Sequence, residues 1–210
     1  TIAHHGDDNG LVLPPKVAPK QVVIVPILFR GKEEIAMDYA MEIETKLKAA
    51  GIRVVLDGDN RTSPGDKYYK WEMYGVPLRL EVGPREAQNK KATLVRRDNF
   101  EKVQVEEDKL IDKVNELFEV IFENLKAKDK AKLDSLLKDA YDMDQLKAYM
   151  DARLIVRVNW CGDAECAINL KDQVSGEIRG TRWGVEEKPT GSCVFCKDEA
   201  KYVAYVSRTY

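Results

Sequence analysis

The sequence has little cysteine and histidine and no long hydrophobic run. It contains 4 Cys and 2 His among 210 residues. No apolar stretch approaches the roughly 20 residues that a membrane-spanning helix requires, and no signal-peptide pattern is present at the start. From these absences we expect a soluble, cytoplasmic protein whose cysteines stay reduced, and neither a membrane protein nor a disulfide-stapled one.

The charge of the chain is nearly balanced overall but uneven along the sequence. The formal net charge is −2, yet residues 60–98 carry 9 Lys and Arg against 5 Asp and Glu. A local positive surface can hold phosphates even when the whole protein is mildly anionic. Charge alone favours a solvated face without a partner, so the choice between this and a phosphate-binding surface depends on other features of the sequence.

The first part of the sequence predicts an α/β domain with a mixed sheet of about five strands. Gln21–Ile27 is an apolar run of strand length, and apolar residues recur at helical spacing from Glu33 to Ala50. With the following strand Ile52–Leu56 they form a βαβ unit with parallel strands. A short helix is expected after Ser63-Pro64, because serine can cap it and proline suits its first turn. The remaining predicted strands are Leu78–Val82, Ala92–Val95 and Lys102–Val105.

The second part predicts a small α+β domain. Residues 106–125 have apolar residues on one helical face, and Lys126–Lys132 has the composition of a linker or a helix join. A second helical stretch is expected from Leu133 to Tyr141. From Leu154 onward the pattern becomes typical of strands.

The four cysteines form two close pairs. Cys161 and Cys166 are separated by four residues, Cys193 and Cys196 by two, and 26 residues lie between the pairs. Four thiolates make a closed tetrahedral shell for zinc, with no open position for water, so the ion would stabilise the fold and perform no chemistry. The alternatives are four buried thiols or, less favoured without an export signal, disulfides.

A segment of mixed basic, aromatic and acidic residues has a composition suited to single-stranded RNA. It comprises Lys67–Glu72 and Gly75–Glu86. Aromatic rings stack on unpaired bases, an arginine can donate to guanine O6 and N7, and a carboxylate can accept from the N–H edge of guanine. On pattern alone, a core Trp71 surrounded by surface ion pairs explains the segment equally well.

This segment resembles the anticodon-binding domain of prolyl-tRNA synthetases. The shared run over Lys67–Glu86 is K-x-x-x-W-E-x-x-G-V-P-x-R-x-E-x-G-P-R-E. Residues His5–Pro19 resemble the junction where the catalytic core of that family ends. The two cysteine pairs and the terminal Tyr210 resemble the archaeal and eukaryotic-like branch.

The resemblance implies a domain division and a role for specific residues. Residues 1–18 would be the end of the class II catalytic core, 19–125 the anticodon-binding domain and 126–210 the zinc domain. The anticodon of proline tRNA carries two adjacent guanines, and the family reads them. The residues at its anticodon-contacting positions are Tyr68, Glu72, Arg79, Arg85 and Glu86, and the expected zinc ligands are Cys161, Cys166, Cys193 and Cys196.

The resemblance also implies partners that this chain alone does not hold. The full-length enzyme would be a homodimer that joins proline to its tRNA with ATP and magnesium, with Tyr210 reaching toward the active site. The motifs of class II synthetases that bind ATP are not recognisable here, so we expect the chain alone to be inactive. Separately, we expect it to bind neither membranes nor DNA. The alternatives are a stand-alone RNA-binding or accessory protein built from the same domain, and a purely structural zinc protein.

Overall fold

The computed structural model describes residues 5–29 and 31–208. The chain divides into two compact units, Thr1–Asp129 and Lys130–Tyr210, and each is built on its own sheet. Tyr210, for which the sequence predicts a role in the full-length enzyme, lies outside the described residues. None of the helices in the described ranges is long and apolar enough to cross a lipid bilayer.

The first unit contains a mixed five-stranded sheet, which confirms the prediction. A short hairpin, β1 (Gly6–Asp7) and β2 (Gly10–Leu11), is followed by β3 (Val22–Pro26), β4 (Val54–Leu56), β5 (Leu78–Val82), β6 (Lys91–Arg96) and β7 (Lys102–Glu106). The spatial order of the sheet is β4-β3-β5-β6-β7. Strand β3 is parallel to both neighbours, whereas β5, β6 and β7 pair antiparallel. The predicted βαβ unit is therefore present.

Helices cover both faces of this sheet, which explains why β3 is apolar throughout. The helices are α1 (Glu33–Ala49), α2 (Pro64–Met73), α3 (Pro84–Gln88) and α4 (Leu110–Leu136). Val22 and Ile24 of β3 pack into the core formed with α1 and α4. Val23 and Val25 lie on the opposite face, where Trp71 of α2 covers them. A strand buried on both faces has no polar alternation.

For the segment that follows residue 125, the sequence allowed a linker or a helix join, and the structure shows that the helix continues through it. Lys126–Lys132 is not a linker but part of α4, because lysine, alanine and aspartate in this run do not interrupt a helix that the preceding apolar stripe has established. The predicted helix from Leu133 to Tyr141 is correct as far as Leu136, where α4 ends, and wrong beyond it. Leu137–Ala140 is a strand, because it pairs in register with Ile155–Val158.

Within the first unit, the segment before β3 packs closely against the loop that follows α2. Gly75 has φ +69°, and a Cβ there would lie 2.6 Å from the side chain of Leu11, so no other residue fits at this position. Arg97 donates to Asp7 at 2.5 Å and to the backbone oxygen of Glu72 at 3.0 Å. The hairpin is thereby fixed to the end of α2.

The second unit is a small α+β domain, as predicted. Its elements are β8 (Leu137–Ala140), α5 (Met143–Asp151), β9 (Ile155–Trp160), α6 (Ala164–Val174), β10 (Glu177–Gly180) and β11 (Tyr202–Ser207). The sheet order is β10-β11-β9-β8, with β8 and β9 parallel and the other pairs antiparallel. Leu146 and Met150 of α5 and Leu170 of α6 form its apolar core with one face of the sheet.

Candidate functional site

Helix α2 presents Tyr68 and Glu72 on one side. Ser63 caps the helix, since its hydroxyl accepts from the backbone N–H of Asp66 at 3.2 Å, and Pro64 occupies the first turn. Residues four apart lie above one another on a helix, so Tyr68 and Glu72 face the same neighbour. The predicted short helix is confirmed, with its serine cap.

The Ser63 cap should contribute measurably to the stability of the first unit. Replacing Ser63 by Ala should lower the free energy of unfolding by about 1 kcal/mol, because one amide of the first turn loses its acceptor. Ser63→Thr, which keeps a hydroxyl, should retain most of the stability that the cap contributes. Urea unfolding of the three proteins measures the difference. An Ala variant as stable as the parent would contradict the role of the cap.

Arg79 of β5 is the centre of the candidate site. Its guanidinium donates to Glu72 at 2.5 Å and to Glu81 at 3.0 Å, and lies 3.9 Å from the centre of the Tyr68 ring. Only 9% of Arg79 is exposed. These contacts hold the guanidinium in a fixed plane. Because a guanidinium has five N–H donors, some of them are left for a ligand.

The environment of Tyr68 keeps its phenol neutral. Burial, assisted by the nearby Glu81 carboxylate, raises the pKa of Tyr68 to about 12, and the Arg79 cation opposes this only partly. At neutral pH the ring is therefore uncharged. A neutral ring that already stacks on a guanidinium offers a flat surface to a base.

Asp57 attaches α2 to the sheet behind this cluster. Its carboxylate accepts from the indole N–H of Trp71 at 2.7 Å and from Lys70 at 3.2 Å, and its backbone oxygen accepts from the buried Lys67 at 2.8 Å. Burial raises the pKa of Asp57, but the hydrogen bonds from Trp71 and Lys70 outweigh it and hold the pKa below its usual value. This carboxylate thus stabilises the fold above the ordinary pKa of aspartate, and the contribution is lost as the pH falls through the lowered pKa.

Arg85 and Glu86 lie at the C-terminal edge of β5, at the start of α3. The carboxylate of Glu86 accepts from the backbone N–H of Gly83 at 3.1 Å, so it caps the helix that carries it. Arg85 is exposed to solvent. The structure thus joins Tyr68, Glu72 and Arg79 in direct contact and places the other two predicted residues just beyond the end of the same strand.

Two residues of the cluster are absent from the predicted site. Glu81 accepts from Arg79, and its other oxygen lies 3.4 Å from the ammonium group of Lys102 on β7. The spacing of Glu81 and Arg79 by two residues could have revealed the first, because alternate residues of a strand share a face. Lys102 is brought to the site by the strand register, in which Arg79 lies beside Val95 and Val95 beside Lys102. No signal within the sequence gives that pairing.

The four cysteines meet in the second unit. Their sulfur atoms all lie within 4.8 Å of one another, and those of Cys166 and Cys193 are 3.7 Å apart. A tetrahedral site with Zn–S bonds of about 2.3 Å requires sulfur separations of about 3.8 Å. All four are free thiols. The donor set and its dimensions therefore fit a metal ion of the zinc type.

Local structure explains how each pair is formed. Cys161 follows β9, and the backbone then turns at Gly162, which has φ +89°. Cys166 lies in the first turn of α6, where its N–H donates at 2.8 Å to Asp163, the cap of that helix. The second pair lies in a loop before β11, closed by the N–H of Cys193 donating to Asp198 at 2.7 Å.

Comparison with known proteins agrees with this geometry. The family described as "Anticodon binding domain" matches residues 21–117, and the one described as "Prolyl-tRNA synthetase, C-terminal" matches residues 143–210. The chain belongs to the prolyl-tRNA synthetase family. The five-stranded unit is therefore the anticodon-binding domain of that family, and the cysteine cluster lies in its C-terminal domain.

Individual relatives match along the whole chain. The proteins named proline–tRNA ligase from Pyrococcus abyssi and Thermococcus kodakarensis are each 44% identical to it across 100% of its length. The proline–tRNA ligase of Methanococcoides burtonii is 42% identical, also across 100% of the chain. The match covers 44%, 44% and 43% of these relatives, so the chain spans less than half of their length.

Proposed function

We propose that this chain reads the anticodon of proline tRNA as the C-terminal part of a proline–tRNA ligase. The observation that carries the proposal is the buried Arg79, held between Glu72 and Glu81 and stacked on Tyr68. Surface arginines that serve only solubility are not fixed in this way. The fixed plane of donors beside carboxylate acceptors matches the edges of an exposed guanine.

The chemistry of guanine explains why both charges are needed. Guanine presents O6 and N7 as acceptors to the free N–H groups of Arg79, while its N–H edge requires an acceptor such as Glu72 or Glu81. Adenine presents an amino group where guanine has O6, so it would place a donor against the guanidinium. The cluster therefore selects guanine by leaving the wrong base with unpaired polar groups.

Three further residues near the cluster complete the proposed surface. Arg85 and Glu86 lie beyond the carboxyl ends of β5 and its parallel neighbour β3, where open α/β sheets bind their ligands. Lys102 lies on the same face as Arg79, and its side chain is 58% exposed. We assign Arg85 and Glu86 to the second guanine and Lys102 to a base or phosphate beside it.

The remaining parts of the proposal concern the full-length enzyme. Zinc held by the four cysteines stabilises the C-terminal domain, residues 1–18 end the catalytic core, and the domain boundary lies near residue 125. The full-length protein would be a cytoplasmic homodimer that uses ATP, magnesium and proline, with Tyr210 approaching its active site. This chain alone would not form the prolyl-adenylate. The relatives that match along the whole chain are named proline–tRNA ligases, which favours this proposal over a stand-alone RNA-binding protein.

Binding measurements with whole tRNA test the proposal. The chain should bind proline tRNA more tightly than a variant in which both anticodon guanines are replaced by adenines, by about 1–3 kcal/mol for each guanine read. A tRNA altered at a loop position outside the anticodon should bind like the parent. All three are compared at one salt concentration, because phosphate contacts are salt-dependent. Equal affinity for the parent and the guanine-free variant would contradict anticodon reading.

A further inference from the structure

One face of the second sheet is turned away from helices α5 and α6. Val156 and Val158 of β9 pack into the core with these helices. The alternate residues Ile155 and Arg157 point to the opposite face, together with Tyr205, which pairs with Arg157 across to β11. This opposite face carries an apolar cleft that neither the anticodon site nor the cysteine cluster uses.

The cleft has a volume of about 330 Å³ and a mostly apolar lining. The lining residues are Leu133, Asp134, Leu137, Ile155, Tyr205 and the segment 179–182. Arg179 is engaged, since it donates to Ser207 and to Glu177, both at 3.2 Å. Arg182 differs: within residues 5–29 and 31–208 no carboxylate forms an ion pair with it. The cleft thus combines a mostly apolar lining with the Tyr205 ring, one carboxyl group (Asp134) and two cations, of which Arg182 has no ion pair in the described part of the chain.

The residue after Arg182 is the most exposed large apolar side chain of the described part. Trp183 is 98% exposed, whereas Trp71 and Trp160 are partly buried. An indole left in water forgoes a large hydrophobic gain that burial would provide. It lies in a loop between Gly180 and Gly184, which both have positive φ, at +124° and +71°. The three side chains between these glycines, Thr181, Arg182 and Trp183, are all exposed.

Unpaired nucleotides satisfy these features together. A base stacks on tryptophan or tyrosine and fills an apolar cleft, while its phosphate pairs with arginine. Sheets that recognise single-stranded RNA bear aromatic and basic side chains on the face that binds it. A protein partner would need one group that is both flat and apolar and a second that is anionic.

We propose that this surface, which consists of the cleft with Tyr205 and Arg182 and of the exposed Trp183 that follows Arg182 in the chain, binds unpaired nucleotides of the tRNA outside the anticodon hairpin. The inference rests on the proposed function in taking tRNA as the partner. The C-terminal unit then adds affinity for the whole tRNA without reading the anticodon, so that the two RNA contacts are separable by mutation.

A double variant, Arg182→Ala with Trp183→Ala, tests the surface. Affinity of the 210-residue chain is measured for whole proline tRNA and for the anticodon hairpin excised from it. Loss of one stacked base should weaken binding of the whole tRNA about tenfold and leave binding of the hairpin unchanged. Trp183→Phe, which keeps a stacking ring, should bind the whole tRNA within about threefold of the parent.

The control is Ile168→Ala on α6, where the side chain is 60% exposed and lies outside the cleft. It should bind both RNAs like the parent, and metal content should be equal in all variants. Unchanged affinity of the double variant for whole tRNA would overturn the inference, as would equal weakening toward both RNAs. Self-association of the parent that the double variant abolishes would show a protein interface instead. Failure of the parent to bind the hairpin would contradict the proposed function, not this surface.

Discussion

Arg79→Ala should remove most of the preference for tRNAs that carry the guanine pair. We expect a loss of about 1–3 kcal/mol toward proline tRNA and a much smaller loss toward the guanine-free variant. The reason is that Arg79 supplies the donors for O6 and N7, and that its removal leaves Glu72 and Glu81 as two carboxylates without their shared cation. Arg79→Lys should lose most of the preference as well, because an ammonium group keeps the charge but not the planar fork. Equilibrium binding to both tRNAs measures the effect.

The matched control is Arg61→Ala in the same basic stretch. The side chain of Arg61 is 88% exposed and pairs only with the adjacent Asp59 in the described part of the chain. Loss of the Arg61 side chain should weaken the binding of both tRNAs equally or leave both unchanged. Circular dichroism verifies that the Arg79 variants remain folded, because this residue is buried. Equal losses of affinity for both tRNAs in Arg79→Ala would reduce its role to a backbone contact.

Part of the site could be predicted from short-range spacing alone. Tyr68 and Glu72 are four residues apart on a helix, and Arg79 and Glu81 are two apart on a strand, so each pair shares a face without knowledge of the fold. What spacing could not give is the contact between the two pairs, which depends on how α2 crosses the sheet. Lys102 is the clearest case, because only the pairing of β5 with β6 and of β6 with β7 brings it to the site.

The fold of the second unit was less predictable for a similar reason. Helix α6 escaped the sequence analysis, although Asp163 caps it and Cys166, Leu170 and Val174 recur every four residues on its buried face. The first of these positions is a cysteine, and its close pairing with Cys161 draws attention to metal binding and away from the helical periodicity. The strand Leu137–Ala140 has no alternation of its own, and only its pairing with β9 makes it a strand. Such tertiary pairing outweighs local propensity.

Substitution of Cys193 should have the largest effect on stability of any single change considered. Cys193 is fully buried among the other three thiols. Cys193→Ser should lower the metal content from about one zinc per chain to near zero, because three thiolates no longer close the shell. Binding of structural zinc is folding free energy, worth about 10 kcal/mol or more in zinc-finger peptides, so we expect the second unit to lose several kcal/mol or to unfold. Metal analysis and hydrogen exchange measure the two effects.

The distribution of the exchange decides what the metal does. Amides of the second unit should exchange faster in Cys193→Ser and in the chelator-treated parent, while residues 21–117 should stay protected, because that domain has its own core. Affinity for the anticodon hairpin should also be kept, since Arg79 and its partners lie in the first unit. Ser192→Ala, one residue before the ligand, should retain both zinc and protection. If instead the purified parent contains no metal and Cys193→Ser unfolds like it, the cluster consists of four buried thiols, and the second unit depends on its apolar core alone.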